Sequence, residues 1–169
     1  MSRLPQHAST IPSGAHRSRS AAADQERHDP LRESGRLLEP AVCPDCRAVF
    51  AKGRWHWNGS IAGAPSHRCP ACRRIREHLP GGVVRLRGEF LTTHRDEVMA
   101  CVRRVCDLAY IEHPLERLME IDEDDAQICI TTTNAHLARA IGRALKEARE
   151  GRLEIDTLPE GTLRVTWER

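Results

Sequence analysis

The stretch from residue 43 to residue 76 reads Cys43-Pro-Asp-Cys46-Arg-Ala-Val-Phe50 at its start and Cys69-Pro-Ala-Cys72-Arg-Arg-Ile-Arg76 at its end, with Gly53-Arg-Trp-His-Trp57 between them. Two thiolates at i and i+3 on a tight turn can grip one metal ion, and two such turns complete a tetrahedron. The pairs are 22 residues apart, which leaves room for a hairpin insertion. Gly53, Gly59, Gly63 and Pro65 mark turns in that insertion instead of a continuous helix. An all-thiolate set suits a borderline-soft ion with no geometric demand of its own and leaves no position open for water or substrate. The spacing therefore predicts one structural Zn²⁺ on Cys43, Cys46, Cys69 and Cys72. An iron–sulfur or redox site is disfavoured, because no apolar cover for a cluster is evident and one Cys-x-x-Cys pair would suffice for thiol exchange.

Working outward, strand-like pieces at residues 48–51 and 54–57 predict a hairpin inside the ribbon. After the second pair, residues 73–78 read as a helical turn that stops at Pro80-Gly81-Gly82. Val83 to Arg87 then alternates like a strand that can leave the ribbon and enter the next unit. From Thr93, an N-cap candidate with Asp96 and Glu97 in the first turn, Val98, Cys101, Val102, Val105, Leu108 and Ala109 repeat at helical spacing. Pro114 interrupts that helix. A short second helix with Leu115, Leu118 and Met119 inward is expected before the acidic run Asp122-Glu123-Asp124-Asp125. The remainder reads as a β-α-β-β unit: a strand at 127–131, a helix at 134–149 capped near Gly151, and a hairpin of 152–156 and 162–167 with Leu163, Val165 and Trp167 on one face. Residues 1–40 hold Ser, Gly, Pro, His and Arg without apolar periodicity and are expected to be a disordered tail. The expected organisation is thus α+β: tail 1–40, four-cysteine zinc ribbon 41–88, helical connector 89–125 and small β-α-β-β domain 126–169.

The chain has 169 residues, 40% of them hydrophobic, enough for a modest core. It has no apolar run of about eighteen residues that could span a bilayer and no secretory signal pattern at its start, so the expectation is a cytoplasmic protein without a membrane partner. Seven cysteines in such a chain suit metal binding better than a disulfide framework. The net charge of +2 hides an asymmetry: residues 43–88 carry nine Lys and Arg against two acids, and residues 89–169 carry eleven against seventeen. The basic middle points to a polyanion. Arg47, Lys52, Arg54, Trp55 and Trp57 can form a stacking and phosphate-binding surface, although at least one ring is expected to pack under the zinc loops. Arg73, Arg74 and Arg76 leave the second knuckle on a short basic helix, and Arg139 and Arg143, with His136 and Lys146, line one side of the C-terminal helix. Thr131-Thr-Thr-Asn134 at a strand-to-helix junction is either a phosphate seat or an ordinary helix cap. Cys101 and Cys106, near His94, sit at helical core spacing and read as small apolar packing, not as nucleophiles. With no paired carboxylates, phosphate loop or triad order, the chain reads as non-catalytic. RNA is the expected partner, and the alternative is a protein-interaction or regulatory module in which the acidic C-terminal domain carries the partner site.

The motif residues quoted above, together with Ile130-Thr-Thr-Thr-Asn-Ala-His-Leu-Ala-Arg-Ala-Ile-Gly142, resemble bacterial proteins related to the large-ribosomal-subunit export adaptor, the "nonsense-mediated decay three" family. The resemblance covers most of residues 43–169. It implies association with ribosomal RNA or the large ribosomal subunit. The larger relatives carry further cysteine pairs and long additional domains, whereas this chain has a single four-cysteine set.

Overall fold

The computed structural model describes residues 37–169 except Asn58, Ser60 and Asp125; the tail expected at 1–40 lies outside the described residues apart from 37–40. Its first layer is a small antiparallel sheet in the order β1 (Ala41–Val42), β2 (Val49–Ala51), β3 (Arg54–His56). The β2–β3 turn is closed by Lys52 (φ 54°) and Gly53 (φ 75°). Two successive positive φ values match the right-handed twist of the flanking strands, which is why Gly is found there. The Glu39 carboxylate accepts both of their backbone N–H groups at 2.9 Å, so the turn is held from outside as well. Helix α1 (Pro70–Glu77) begins three residues before the expected start and so contains part of the second Cys-x-x-Cys pair. Cys69 caps it, Pro70 pre-sets the backbone of its first turn, and His78 ends it in the left-handed region at φ 52°.

A second sheet of five strands follows, in the order β5 (Leu118–Glu123), β6 (Gln127–Thr132), β4 (Gly82–Arg87), β8 (Leu163–Glu168), β7 (Arg152–Thr157). Only the β4–β8 contact is parallel. β6 and β8 do not touch each other: each pairs with β4 over its full length, from Gly82 to Arg87. The strand that alternates after the ribbon is thus the centre of the second sheet, and the sheet draws strands from all three stretches 41–88, 89–125 and 126–169.

Helices α2 (Glu89–Glu112) and α3 (Ala135–Arg149) cover one face of that sheet. The inward positions obey the period of two: Val84 and Leu86 on β4, Ile128 and Ile130 on β6, and Leu163, Val165 and Trp167 on β8 are all buried. They meet Val98, Met99, Val102 and Cys106 of α2 and Leu137, Ile141 and Leu145 of α3. Burying each such side chain contributes about 1.5–3 kcal/mol. Gly142 permits the close approach of α3, since a Cβ there would lie 2.5 Å from a Val165 methyl group. The opposite face is polar, with Arg85, Arg87, Gln127 and Asp122 exposed along it.

Two further elements depart from the sequence reading. α2 starts at Glu89, not Thr93, and is bent at His94 (φ −124°, ψ 26°). The cap signals at Thr93, Asp96 and Glu97 therefore mark the restart after the bend. The Thr92 and Thr93 hydroxyls turn back to the carbonyls of Glu89 and Phe90, and the His94 ring stacks on Phe90 at 3.9 Å. The short helix expected around Leu115, Leu118 and Met119 is instead the edge strand β5. Its pairing with β6 shifts register between Leu118 and Glu120, so Leu118 and Ile121, three residues apart, both pack on the core. A bulge gives a strand the apolar spacing of a helix. No helix among the described residues is long and apolar enough to cross a membrane.

Candidate metal centre

The first knuckle is a turn in which the Arg47 N–H donates to the Cys43 carbonyl (3.0 Å) and the Cys43 N–H donates to the Ala48 carbonyl (2.8 Å). Arg47 takes up that tightness with a left-handed backbone, φ 68°. The second knuckle is the start of α1, where the Cys72 N–H donates to the Cys69 sulfur at 3.4 Å. The Cys69 N–H in turn donates to the Cys43 sulfur at 3.4 Å, and Arg68 binds Asp45 through two guanidinium nitrogens, so the two turns are stitched together on both sides. All four sulfurs lie within 4.8 Å of one another. Cys46 and Cys69 are 3.7 Å apart at sulfur. A disulfide would need about 2.05 Å. Four thiolates at a metal–sulfur distance of about 2.3 Å sit about 3.8 Å apart along each edge of the tetrahedron. The site therefore fits one metal ion held by four cysteines, with no disulfide among them.

Cys43, Cys69 and Cys72 are buried and Cys46 is half-buried. Burial pushes the Cys43 thiol up, but backbone N–H groups of Cys69, Cys46 and Asp45 outweigh it and bring the group to about 7. Burial dominates at Cys72, pushed up to about 11, and Cys69 is displaced further in the same direction. A bound cation reverses this, because a coordinating thiol is deprotonated outright. Around the sulfurs pack Ala48, Trp55 and Ala71, with Phe50, Trp57 and Leu115 at the margin.

This packing decides the roles of the two indoles. Trp55 is 9% exposed and lies against Phe50 at 5.4 Å and His67 at 6.4 Å, so it belongs to the ribbon's interior. Trp57 is half-buried against Tyr110 of α2, ring centroids 4.8 Å apart, and its indole N–H donates to the Tyr110 carbonyl (2.5 Å). Arg47, Lys52, Arg54 and Arg76 have exposed side chains and Arg73 is half-exposed. Arg74 is buried, with Nη1 donating to the Leu79 carbonyl at 3.1 Å, and so fastens the end of α1. Arg143 is exposed; Arg139 is half-buried, and burial together with Arg143 lowers the affinity of its guanidinium for its proton. The threonine junction is a cap and a hinge of hydrogen bonds: Thr132 donates to the Asn134 carbonyl, Thr133 to the Leu115 carbonyl, and Asn134 Oδ1 accepts the Leu137 N–H at 3.0 Å. Cys106 packs in the core, where burial, aided by Asp107, pushes its thiol up to about 11.

Arg117, which the sequence did not single out, is part of the site. Its Nη1 donates to the Cys72 sulfur at 3.3 Å, its Nη2 approaches the Cys69 sulfur at 3.9 Å, and its Nε donates to the Pro114 carbonyl at 2.6 Å. The guanidinium lies over the Trp57 ring at 5.1 Å and near that of Tyr110 at 6.0 Å. Burial works against its charge, but the neighbouring cysteine sulfurs raise its hold on the proton. A lone Arg in Leu115-Glu-Arg-Leu-Met119 carries no motif, and its partners are 45 and 48 residues away. No protein-family model, curated protein or solved structure matches the chain.

Proposed function

We propose that this is a non-catalytic zinc-ribbon protein that binds RNA, with ribosomal RNA of the large subunit as the favoured target. Zinc is favoured because four thiolates in a closed tetrahedron suit an ion without redox chemistry or geometric preference. A closed site with no open coordination position supports a structural ion, and the non-catalytic reading follows from it. The resemblance to the nonsense-mediated decay three family supports the ribosomal target.

One observation carries the RNA reading: the exposed ribbon side chains Arg47, Lys52, Arg54 and Arg76 are cations, while the ribbon's rings, Trp55 and Trp57, are occupied in packing. Contacts of that kind address phosphates and carry no sequence information, so affinity should depend on salt more than on base order. A second reading has its own observation. Leu108, Tyr110 and Ile111 at the end of α2 are 54%, 50% and 69% exposed, which suits a protein partner.

Salt titration separates them. Arg47 and Lys52 have positive φ, so Asn is the replacement that keeps the backbone, and Gln serves at Arg54 and Arg76. With zinc content unchanged, the quadruple variant should bind a short single-stranded RNA more weakly, with a slope of log K against log salt shallower by up to about three units. It should also cosediment less with the large ribosomal subunit. An unchanged slope and unchanged cosedimentation would reject the RNA reading in favour of the protein partner.

A further inference from the structure

We infer that Arg117 latches the metal centre to the sheet unit, so that metal retention and the docking of the ribbon are one linked event. The inference rests on the metal reading of the four cysteines and adds to it a residue from outside the ribbon.

Arg117 immediately precedes β5, and its own backbone is fixed there: its N–H donates to Thr133 Oγ1 (2.8 Å) and its carbonyl accepts the Thr133 N–H (2.9 Å). Its head crosses to the ribbon. A divalent ion with four thiolates carries a net charge of about −2, which is costly to bury. A guanidinium with two N–H groups on the sulfurs offsets about half of that charge and supplies directional hydrogen bonds. The same planar group stacks against Trp57 and Tyr110, one from the ribbon and one from α2. Lysine has no such plane and cannot bond two sulfurs and stack at once. Because the metal-bound sulfurs position the guanidinium and the guanidinium positions Trp57, whatever strengthens one contact must strengthen the other by the same factor. Arg117 is therefore a positioning residue for the metal centre.

The three indoles report the two halves separately. Trp55 sits inside the ribbon, Trp167 inside the sheet unit with its N–H on the Glu150 carbonyl (2.7 Å), and Trp57 at the contact between them. The experiment compares the zinc-loaded full chain with Arg117→Met, Arg117→Lys and Tyr110→Ala by indole N–H resonances, and follows zinc transfer to a chelating dye. For Arg117→Met we expect the Trp57 resonance to move while those of Trp55 and Trp167 stay, and zinc to be lost about 10- to 100-fold faster. Arg117→Lys, which restores charge without the planar fork, should fail to restore either. Should Arg117→Met lose the Trp167 resonance and so fail to fold, Tyr110→Ala, at an exposed position near the end of α2, tests the same contact. It should move Trp57 alone and speed zinc loss by a smaller factor. An unmoved Trp57 with zinc loss within about twofold of the native chain would overturn the latch. A native chain that takes up no zinc would instead overturn the metal reading on which it rests.

Discussion

The ribbon and the five-stranded sheet solve the same physical problem with different materials. In the sheet unit, sixteen buried residues drawn from β4, β6, β8, α2 and α3 form one continuous apolar core. In the ribbon, half of the six-residue buried cluster is cysteine of the candidate metal centre: Cys43, Cys69 and Cys72 beside Ala48, Trp55 and Ala71. Its strands are two and three residues long, too short to be stable by pairing alone. On the zinc reading proposed above, order in the ribbon depends on four sulfurs converging on one ion, while order in the sheet unit depends on area removed from water. A perturbation of one should leave the other largely standing, and the exceptions should pass through Arg117, Trp57 and Tyr110.

The largest expected effect is on the ribbon. Cys69→Ser removes the sulfur that contacts both knuckles, and structural zinc sites contribute about 10–16 kcal/mol of binding free energy that is also folding free energy. The ribbon should unfold, seen as loss of the Trp55 indole resonance, while that of Trp167 remains. Simultaneous loss of both would mean that the two regions form a single cooperative unit and do not differ in what holds them. The smaller expected effect is on the sheet unit. Trp167 is fully buried and hydrogen-bonded through its indole, so Trp167→Ala should cost about 3–5 kcal/mol in denaturant unfolding, with zinc content unaltered. A cost below about 1 kcal/mol would mean that apolar burial does not hold this half.

The same contrast explains what can be read in the sequence. The four ligands are legible because metal chemistry imposes a local spacing that survives any fold around it, and the structure brings all four together. The inward face of β8 is legible because Leu163, Val165 and Trp167 alternate without interruption. β5 reads as a helix because Leu115, Leu118 and Met119 stand at the i, i+3, i+4 spacing of a helix face, whereas the bulge between Leu118 and Glu120 turns Leu118 and Ile121 onto the core instead. The place of β4 between β6 and β8 joins residues 82–87 to partners about 45 and 80 positions on, and loop composition carries no record of such pairing. Arg117 is hidden for the same reason: its function lies wholly in contacts distant in sequence. Trp57 is legible as an aromatic near the site, but its partner, Tyr110, is not.

The proposal that the four cysteines hold one zinc ion makes the ribbon's order conditional on that ion. The most direct measurement is elemental analysis of the full chain purified under reducing conditions without chelator, paired with the Trp55 resonance before and after zinc is stripped. The expected result is one equivalent of zinc per chain, none in Cys69→Ser, and a Trp55 resonance that vanishes on stripping and returns with zinc. Absence of zinc, iron in its place, or a Trp55 resonance indifferent to the metal would contradict it.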